Sequence, residues 1–329
     1  MLLSLIPVHA HANSKPQSVN YVSLGDSLAA GMLHNWTFGK GYPTFIHHYL
    51  TEEGYDLNSF KRGVAGFTTS DVLWQLDVDL HLRNKLKSAN IVTIDAGAND
   101  LLNAVGNVHN IDLENMTPEE ILELKAIAAE ETANIKRNME FILDIIEYLN
   151  PDASVYVMGY YNAFPYLEDN MQPLVTELIS NLNTALESGT ENQKATFVPT
   201  FKVFEVQYKE YLPNETNIHP NEAGYEAMAQ AFLAYILPDL AKGPSEPNDS
   251  ENLINDVYTL SVSKEQLQLN SGQTEQLKVE VINPNGESLG ITEKATYESS
   301  DPNIVEVNKH GLISTKKIGS ATIEVAMNI

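Results

Sequence analysis

From Val19 to Leu240, short runs of β-branched and apolar residues alternate with long amphipathic stretches. Four of the short runs are predicted to be buried strands: Val19–Leu24, Ile91–Ala96, Ser154–Gly159 and Thr196–Pro199. Strands that alternate with helices form βαβ units, in which the strands run parallel and the helices cover both faces of the sheet. The pattern therefore predicts a three-layer α/β/α domain with a mostly parallel sheet.

The helix with the clearest boundary signals is Pro118–Leu149. Thr117 is suited to the N-cap position, Pro118 to the first helical position, and Glu120 completes a capping box. Three further helices are predicted from amphipathic periodicity: Asp71–Lys87, Asn170–Glu187 and Asn221–Leu240.

The hydrophobic pattern changes after a polar segment. Lys242–Asn252 contains two prolines, one glycine and almost no apolar residue, which is typical of a linker. Beyond it, apolar and polar residues alternate in short runs separated by turn signals, as in a small all-β sandwich. We therefore predict a leader (1–18), an α/β domain (19–241), a linker (242–254) and a β sandwich (255–329).

The composition excludes several kinds of partner and site. The chain has 20 Lys and Arg against 44 Asp and Glu, a formal charge of −24, which argues against binding nucleic acid. The absence of cysteine removes disulfides, thiolate nucleophiles and Cys-ligated metals. No metal-ligand spacing of histidines appears either, so we expect neither a metal nor another cofactor.

The N-terminus indicates export. Met1–Val8 is mostly apolar, and Ala10-His11-Ala12 has the small-x-small form of a signal-peptidase site, although a basic segment before the apolar run is missing. We expect a remnant of a secretory signal peptide and hence a secreted or cell-surface protein.

A serine and a histidine are candidates for nucleophilic catalysis. Ser27 follows the first predicted strand, where a strand-to-helix turn can expose its hydroxyl group near backbone N–H groups, although the same sequence also suits a plain turn and cap. A serine nucleophile needs a base. His219 lies in a loop at the carboxyl side of the sheet, where α/β enzymes place catalytic groups. Pro220 follows it and precedes the last predicted helix of the α/β domain.

Two further segments could stabilise negative charge. Asn99, directly after the strand Ile91–Ala96, either caps the next helix or directs its side-chain N–H groups at an oxyanion. Gly66 lies in a turn before a predicted helix, and its backbone N–H could be a second donor. That turn lacks the glycines and the lysine of a phosphate-binding loop.

Together these segments resemble the four blocks of the SGNH (GDSL) hydrolase family, in the family's chain order and over Val19 to Ala241. The matching residues are Gly25-Asp26-Ser27-Leu28, Gly66, Gly97-Ala98-Asn99-Asp100, and His219-Pro220-Asn221 with Gly224-Tyr225. The resemblance implies an SGNH/flavodoxin-like fold and a serine hydrolase of carboxylic esters. It also implies Ser27 as nucleophile, His219 as base, and an oxyanion hole formed by the Ser27 and Gly66 N–H groups and the Asn99 side chain.

One position departs from the family pattern. The family has an aspartate three residues before the histidine, and this chain has Thr216 there. A carboxylate would hold the imidazole tautomer and stabilise the imidazolium. Three alternatives remain open: Glu215 reaches the imidazole, a backbone carbonyl within Asn214–Ile218 replaces the carboxylate, or the site is slow or inactive.

The C-terminal segment resembles the bacterial immunoglobulin-like group 2 (BIG2) modules of cell-surface proteins. The matching stretches include Leu267–Gly272, Tyr297–Pro302 and Gly319–Ile323. The resemblance implies an extracellular spacer or adhesion module, with a cell-wall or surface polysaccharide as its candidate partner.

The substrate is less determined. Aromatic residues that either line an acyl pocket or simply pack the domain follow the nucleophile segment and a later strand: Trp36, Phe38, Tyr42, Tyr160, Tyr161, Phe164 and Tyr166. The preferred reading is a small ester or lipid substrate, cleaved by a lipase, esterase or lysophospholipase. The alternatives are an O-acetyl esterase acting on polysaccharide or peptidoglycan, and a catalytically dead surface-binding protein.

Overall fold

The computed structural model describes residues 17–106, 116–191, 193–242, 259–282, 288–290, 292 and 295–326. Residues 1–16 of the predicted leader and 243–254 of the predicted linker lie outside the described residues.

Five parallel strands form the sheet of the α/β region: β1 (Ser18–Gly25), β2 (Asp56–Gly63), β3 (Ile91–Asp95), β4 (Ser154–Met158) and β5 (Ala195–Val198). Their order across the sheet is β2-β1-β3-β4-β5. The four predicted strands are confirmed with small differences at their ends. Every residue of β3 is buried, as the continuous apolar run of a parallel strand covered on both faces requires.

The strand β2 was missed by sequence analysis. It lies at one edge of the sheet, and its residues Asp56–Gly63 are exposed or half-buried throughout. An edge strand of this kind needs no apolar run, and polar side chains along it discourage pairing with other chains. Periodicity in hydrophobicity therefore could not reveal it.

Helices cover the sheet in two groups. They are α1 (Ser27–Ala30), α2 (Tyr42–Glu52), α3 (Thr69–Val78), α4 (Leu80–Leu86), α5 (Ala98–Ala104), α6 (Pro118–Leu149), α7 (Gln172–Thr190), α8 (Phe201–Tyr211) and α9 (Glu222–Ala241). The helix α9 packs against α2 and α8, whereas α6 packs against α3, α4, α5 and α7. The predicted three-layer α/β/α architecture is confirmed.

The predicted helix boundaries hold best where capping residues mark them. The helix α6 begins after Thr117, and both bonds of the capping box with Glu120 are present. The single helix predicted over Asp71–Lys87 is wrong, because the chain breaks at Asp79 into α3 and α4. The Asp79 carboxylate accepts the backbone N–H groups of His81 and Leu82, so it caps a new helix instead of continuing the old one.

The C-terminal region is all-β, as predicted. Among the described residues of this region, the short strands are β6 (Thr259–Val262), β7 (Thr274–Gln276), β8 (Val279–Ile282), β9 (Ser288–Gly290), β10 (Thr296–Ser299), β11 (Val305–Val307), β12 (Leu312–Thr315) and β13 (Ile323–Ala326). They pair antiparallel in three small sheets, β6-β8-β9, β11-β12-β7 and β10-β13. Within the part of the chain that the structure describes, no helix has the length and apolar character of a membrane span.

The carboxyl ends of three neighbouring strands meet at one level of the parallel sheet. Gly25 at the end of β1 pairs with Gly63 of β2 on one side and with Asp95 of β3 on the other. The Gly25 backbone has φ +137°, and a Cβ atom there would lie 2.3 Å from the Asp95 carbonyl oxygen. Only glycine allows the two backbones to lie this close together. This contact between Gly25 and Asp95 directs the chain from β1 into α1.

Gly25→Ala is expected to destabilise the α/β domain by on the order of 3 kcal/mol or more, because it adds a steric clash with Asp95 to a backbone conformation that disfavours side chains. Gly54→Ala is the matched control, since Gly54 also has a positive φ but nothing lies within 4 Å of its added Cβ. Its expected cost is about 1 kcal/mol. Urea unfolding of both variants measures the difference, and equal losses would show that the clash with Asp95 is unimportant.

Candidate active site

Ser27 and His219 lie 192 residues apart in the chain and form a direct hydrogen bond. The distance from Ser27 Oγ to His219 Nε2 is 2.8 Å. Ser27 is the first residue of α1, immediately after β1, and His219 lies in the loop between α8 and α9. Both side chains are buried, so little water competes for this contact.

The second ring nitrogen of His219 is held by Asn217. The distance from His219 Nδ1 to Asn217 Oδ1 is 2.7 Å, and the same oxygen accepts the backbone N–H of His219 at 3.0 Å. Asn217 Nδ2 donates to the backbone carbonyl of His34 at 2.8 Å, which turns its oxygen towards the imidazole. Because an amide oxygen only accepts, Nδ1 carries the hydrogen and Nε2 is left to accept the Ser27 hydroxyl.

Asn217 is a residue that sequence analysis missed as a partner of the imidazole. The expected candidates lie elsewhere: Glu215 and Thr216 are exposed, and the Thr216 hydroxyl donates to Asn214 Oδ1 at 2.9 Å. The contact to His219 is a side-chain carbonyl rather than the backbone carbonyl that was considered. An asparagine two residues before the histidine is the signal, because such residues bond to the backbone N–H two positions on.

Burial dominates the electrostatics of the histidine. Desolvation lowers the pKa of His219 from 6.5 to about 4, because the buried ring is costly to charge. Asn217 is neutral and provides no charge that would offset this cost. The imidazole is therefore unprotonated, and able to accept a proton, over most of the accessible pH range.

Two buried carboxyl groups support the turn that carries Ser27. The Asp95 Oδ2 atom accepts the backbone N–H groups of Asp26 at 3.2 Å and of Ala29 at 3.1 Å. Asp26 Oδ1 accepts the N–H of Leu28 at 2.8 Å and so caps α1. The N–H groups that follow Ser27 are thereby satisfied by side chains, and the turn is fixed to β3.

The two carboxyl groups, Asp26 and Asp95, also influence each other. Burial raises the pKa of both, and their mutual proximity raises the pKa of Asp95 further. The Tyr42 hydroxyl donates to Asp95 Oδ1 at 2.6 Å, and the Tyr160 hydroxyl donates to Asp26 Oδ2 at 3.0 Å. Because two adjacent buried carboxylates repel each other, the doubly charged form of the pair is disfavoured.

Asn99 and its neighbour Asp100 connect the start of α5 to the loop after β2. Asn99 Nδ2 donates to the Phe67 carbonyl oxygen at 2.9 Å, which uses one of its two N–H groups. Asp100 accepts the Thr69 N–H at 2.9 and 3.1 Å. The N-cap of α5 is Gly97, so capping does not explain Asn99. Gly66 lies in the same loop, exposed and with φ +86°.

A cavity of about 80 Å³ opens beside Ser27 and His219. Apolar and aromatic side chains form most of its wall, including Leu101, Leu102, Tyr160, Tyr161, Ala163, Phe164, Ile179 and Leu182. Asn99 also borders it. The other aromatic residues singled out in the sequence do not line this cavity: Tyr42 stacks on Phe232 in the core, Tyr166 packs on Tyr208, Phe38 is exposed, and Trp36 is exposed but meets the His219 ring edge-on.

Among the described residues, no group of three or more His, Asp or Glu side chains is arranged to hold a metal ion.

Comparison with known proteins identifies two regions. Residues 23–227 match the sequence profile of the GDSL-like lipase/acylhydrolase family, and residues 256–329 match that of the bacterial Ig-like domain (group 2). No curated protein sequence matches the chain.

Solved structures that are similar to this chain cover the α/β region. The lipase Lip_vut3 from a goat rumen metagenome is 24% identical, with a TM-score of 0.54 over 66% of this chain and 96% of that chain. A catalytic mutant of an acetylxylan esterase from Geobacillus stearothermophilus is 18% identical, with a TM-score of 0.49 over 68% of this chain and 96% of that one. Because residues 23–227, more than half of the chain, match its profile, the chain belongs to the GDSL-like lipase/acylhydrolase family of ester hydrolases.

Proposed function

We propose that the protein is a serine hydrolase of carboxylic esters in which Ser27 is the nucleophile and His219 the general base. The observation that carries the proposal is the 2.8 Å hydrogen bond between Ser27 Oγ and His219 Nε2, with Nδ1 of the same ring on Asn217. Serine and histidine in this relation are an activated nucleophile and its base. The contact also argues against a catalytically dead binding protein.

The reaction follows from this arrangement. Ser27 Oγ attacks the ester carbonyl carbon as Nε2 of His219 takes the hydroxyl proton. The tetrahedral intermediate then collapses, the bond to the alcohol oxygen breaks, and the imidazolium returns the proton to the departing alkoxide. Water attacks the acyl-enzyme in the same way, releasing the carboxylic acid and restoring the Ser27 hydroxyl.

We assign the oxyanion hole to the Ser27 and Gly66 N–H groups and the Asn99 side chain. The Leu28 and Ala29 N–H groups are taken up by Asp26 and Asp95, which supports the Ser27 N–H as the donor of this turn. The bond from Asn99 to the Phe67 carbonyl orients its amide group and leaves a second N–H for the oxyanion.

The cavity favours a short acyl group. At about 80 Å³ it is well below the roughly 300–1,000 Å³ typical of sites for larger ligands, and its wall is mostly apolar. This supports a short-chain esterase, including an O-acetyl esterase, over a lipase or lysophospholipase that encloses a long acyl chain.

The C-terminal region supports a location outside the cell. Bacterial Ig-like group 2 domains occur in surface or extracellular proteins, and residues 256–329 match this domain. We propose that the protein is secreted or held at the bacterial surface, with the Ig-like module contacting a surface polysaccharide.

Ser27→Ala and His219→Ala are each expected to abolish hydrolysis of p-nitrophenyl acetate, and Ser27→Ala to abolish labelling by a fluorophosphonate probe. The physical reason is that the probe reacts only with an activated serine. Turnover assays and in-gel fluorescence measure the two effects. The surface variant Ser263→Ala in the Ig-like module is the control, and wild-type turnover by either active-site variant would remove that residue from the mechanism.

Replacing Asn217 is expected to change the pH dependence of catalysis. In the wild-type protein the acid limb of kcat/KM should fall near pH 4, because the base works only while its ring is neutral. Asn217→Asp places a carboxylate beside Nδ1, which raises the histidine pKa and moves the limb to higher pH. Asn217→Ala should lower kcat by about 10² because the tautomer is no longer held.

The exposed Glu215 gives the matched control for these pH profiles. Glu215→Gln should leave both kcat and the acid limb unchanged. An acid limb in Asn217→Asp at the wild-type position would contradict the assignment of Asn217 to the imidazole.

Asn99→Ala is expected to lower kcat by ~10²–10³ with a smaller change in KM, because the oxyanion develops only in the transition state. Asn103→Ala, on the same helix, is the control. Steady-state kinetics with p-nitrophenyl acetate measure the effect, and a loss of only a few-fold would assign Asn99 to the support of the Phe67 loop alone.

A further inference from the structure

Trp36 covers the catalytic histidine from the solvent side. Its ring meets the His219 ring edge-on, with 5.6 Å between centroids and 68° between planes. Trp36 is nevertheless 59% exposed, and Phe38 on the same loop is 62% exposed. A single exposed aromatic side chain is ordinary, but two on one loop beside a histidine that contacts a serine form the kind of apolar surface that marks ligand-binding sites.

The backbone of this loop is held in an unfavourable conformation. Trp36 has φ +64°, the one positive φ outside glycine among the described residues. The loop closes on itself through the Leu33 N–H to the Thr37 carbonyl at 2.7 Å, and through the Thr37 N–H and hydroxyl to Asn35 Oδ1. Backbone strain of this kind persists where the surrounding structure enforces it, often at ligand sites.

The same loop is joined to the loop of the histidine. His34 donates its N–H to the Pro220 carbonyl at 3.1 Å, and its own carbonyl accepts the side-chain N–H groups of Asn214 and Asn217, both at 2.8 Å. Trp36 is thus two residues from the group that orients Asn217 towards His219. These bonds hold the backbone next to Trp36 against the loop of the histidine.

The two sides of His219 have different surroundings. One side borders the apolar cavity next to Ser27. The Trp36 ring, which is not part of the cavity wall, contacts the imidazole edge-on. In ester hydrolysis the histidine must hand its proton to the departing alcohol. With the acyl group in the cavity, the alcohol departs along the histidine, towards Trp36.

The chemistry of the loop points to the kind of alcohol. The exposed rings of Trp36 and Phe38 alternate with the polar residues Asn35 and Thr37, and Lys40 follows. A sugar ring has apolar C–H faces that rest on an aromatic ring and hydroxyl groups that need polar neighbours. A lipid surface needs a continuous apolar patch, and an anionic one is repelled by the formal charge of −24.

We propose that Trp36 and Phe38 form the leaving-group subsite and that the alcohol bound there is a sugar residue of an O-acylated carbohydrate. This rests on the proposed esterase function and adds the class of the alcohol to it. The ester carbonyl lies at Ser27, the short acyl group enters the cavity, and the sugar ring stacks on Trp36. The products are the free sugar hydroxyl and the short carboxylic acid.

The chain has two tryptophans, which makes the proposal testable by fluorescence. In the full-length variant Ser27→Ala with Trp74→Phe, Trp36 is the single tryptophan and the ester stays intact. Addition of an O-acetylated cello-oligosaccharide should quench or shift its emission in a saturable way. A response to lysophosphatidylcholine micelles but not to the sugar ester would overturn the proposal in favour of a lipid surface.

Steady-state kinetics provide a second, independent test of the subsite. Trp36→Asn removes the ring while tolerating the positive φ, and it should raise KM for the acetylated oligosaccharide about tenfold. Trp36→Tyr should restore most of the binding. Trp74→Ala on α3, also an exposed tryptophan, is the matched control and should leave KM unchanged. An unchanged KM in Trp36→Asn would refute the subsite.

The two proposals fail in different ways. If the fluorophosphonate probe does not label Ser27, the esterase proposal fails whatever Trp36 does. If labelling succeeds while neither the Trp36 emission nor the KM responds to the sugar ester, the esterase assignment stands and the carbohydrate subsite is wrong.

Discussion

The site depends on one buried carboxyl group, that of Asp95. Its Oδ2 atom receives two backbone N–H groups from the turn on either side of Ser27, and its Oδ1 atom receives the Tyr42 hydroxyl. Without it, the buried Ala29 N–H would lose its partner, at a cost of about 1–3 kcal/mol, whereas the Asp26 N–H also donates to the Asp95 backbone carbonyl at 3.0 Å. The contact fastens the end of β1 to β3, and the Gly25 backbone passes too close to Asp95 for any side chain between them. The direction of the Ser27 hydroxyl follows from these constraints.

The histidine is supported differently from the nucleophile. Asn217 supplies orientation without charge, so the tautomer of His219 is held while the imidazolium gains no electrostatic compensation from its partner. The Tyr161 hydroxyl donates to the Ile218 carbonyl at 2.7 Å and ties this loop to the end of β4. The loop after α1 also binds it, through the His34 carbonyl. The surroundings of His219 therefore hold its ring in position and do not provide a charge that stabilises the imidazolium.

Much of the fold was predictable because its core elements are locally marked. The strand Ile91–Asp95 is continuous in apolar and β-branched residues, and α6 carries its own capping box. What was missed lacks such marks. The edge strand Asp56–Gly63 has no buried side chain. The break at Asp79 arises because its carboxylate caps a new helix, and periodicity does not show this. At the site, short motifs indicated Ser27, Asn99 and His219. Asp95 acts through contacts between distant segments, which no local pattern reveals. The spacing of Asn217 to His219 is a local signal, but the orientation of its amide group is set by the distant His34 carbonyl.

The separation of Ser27 and His219 along the chain has a consequence for folding. The serine follows the first strand, whereas the histidine arrives in the last loop before α9, 192 residues later. Contacts between residues this far apart in sequence form late in folding, because the entropy cost of closing the intervening loop comes before the contact stabilises the domain. Until this last loop has joined the Ser27 turn, the serine lacks its base. Catalytic turnover is therefore a stricter measure of complete folding than secondary structure content, since it reports the joining of the two ends of the domain.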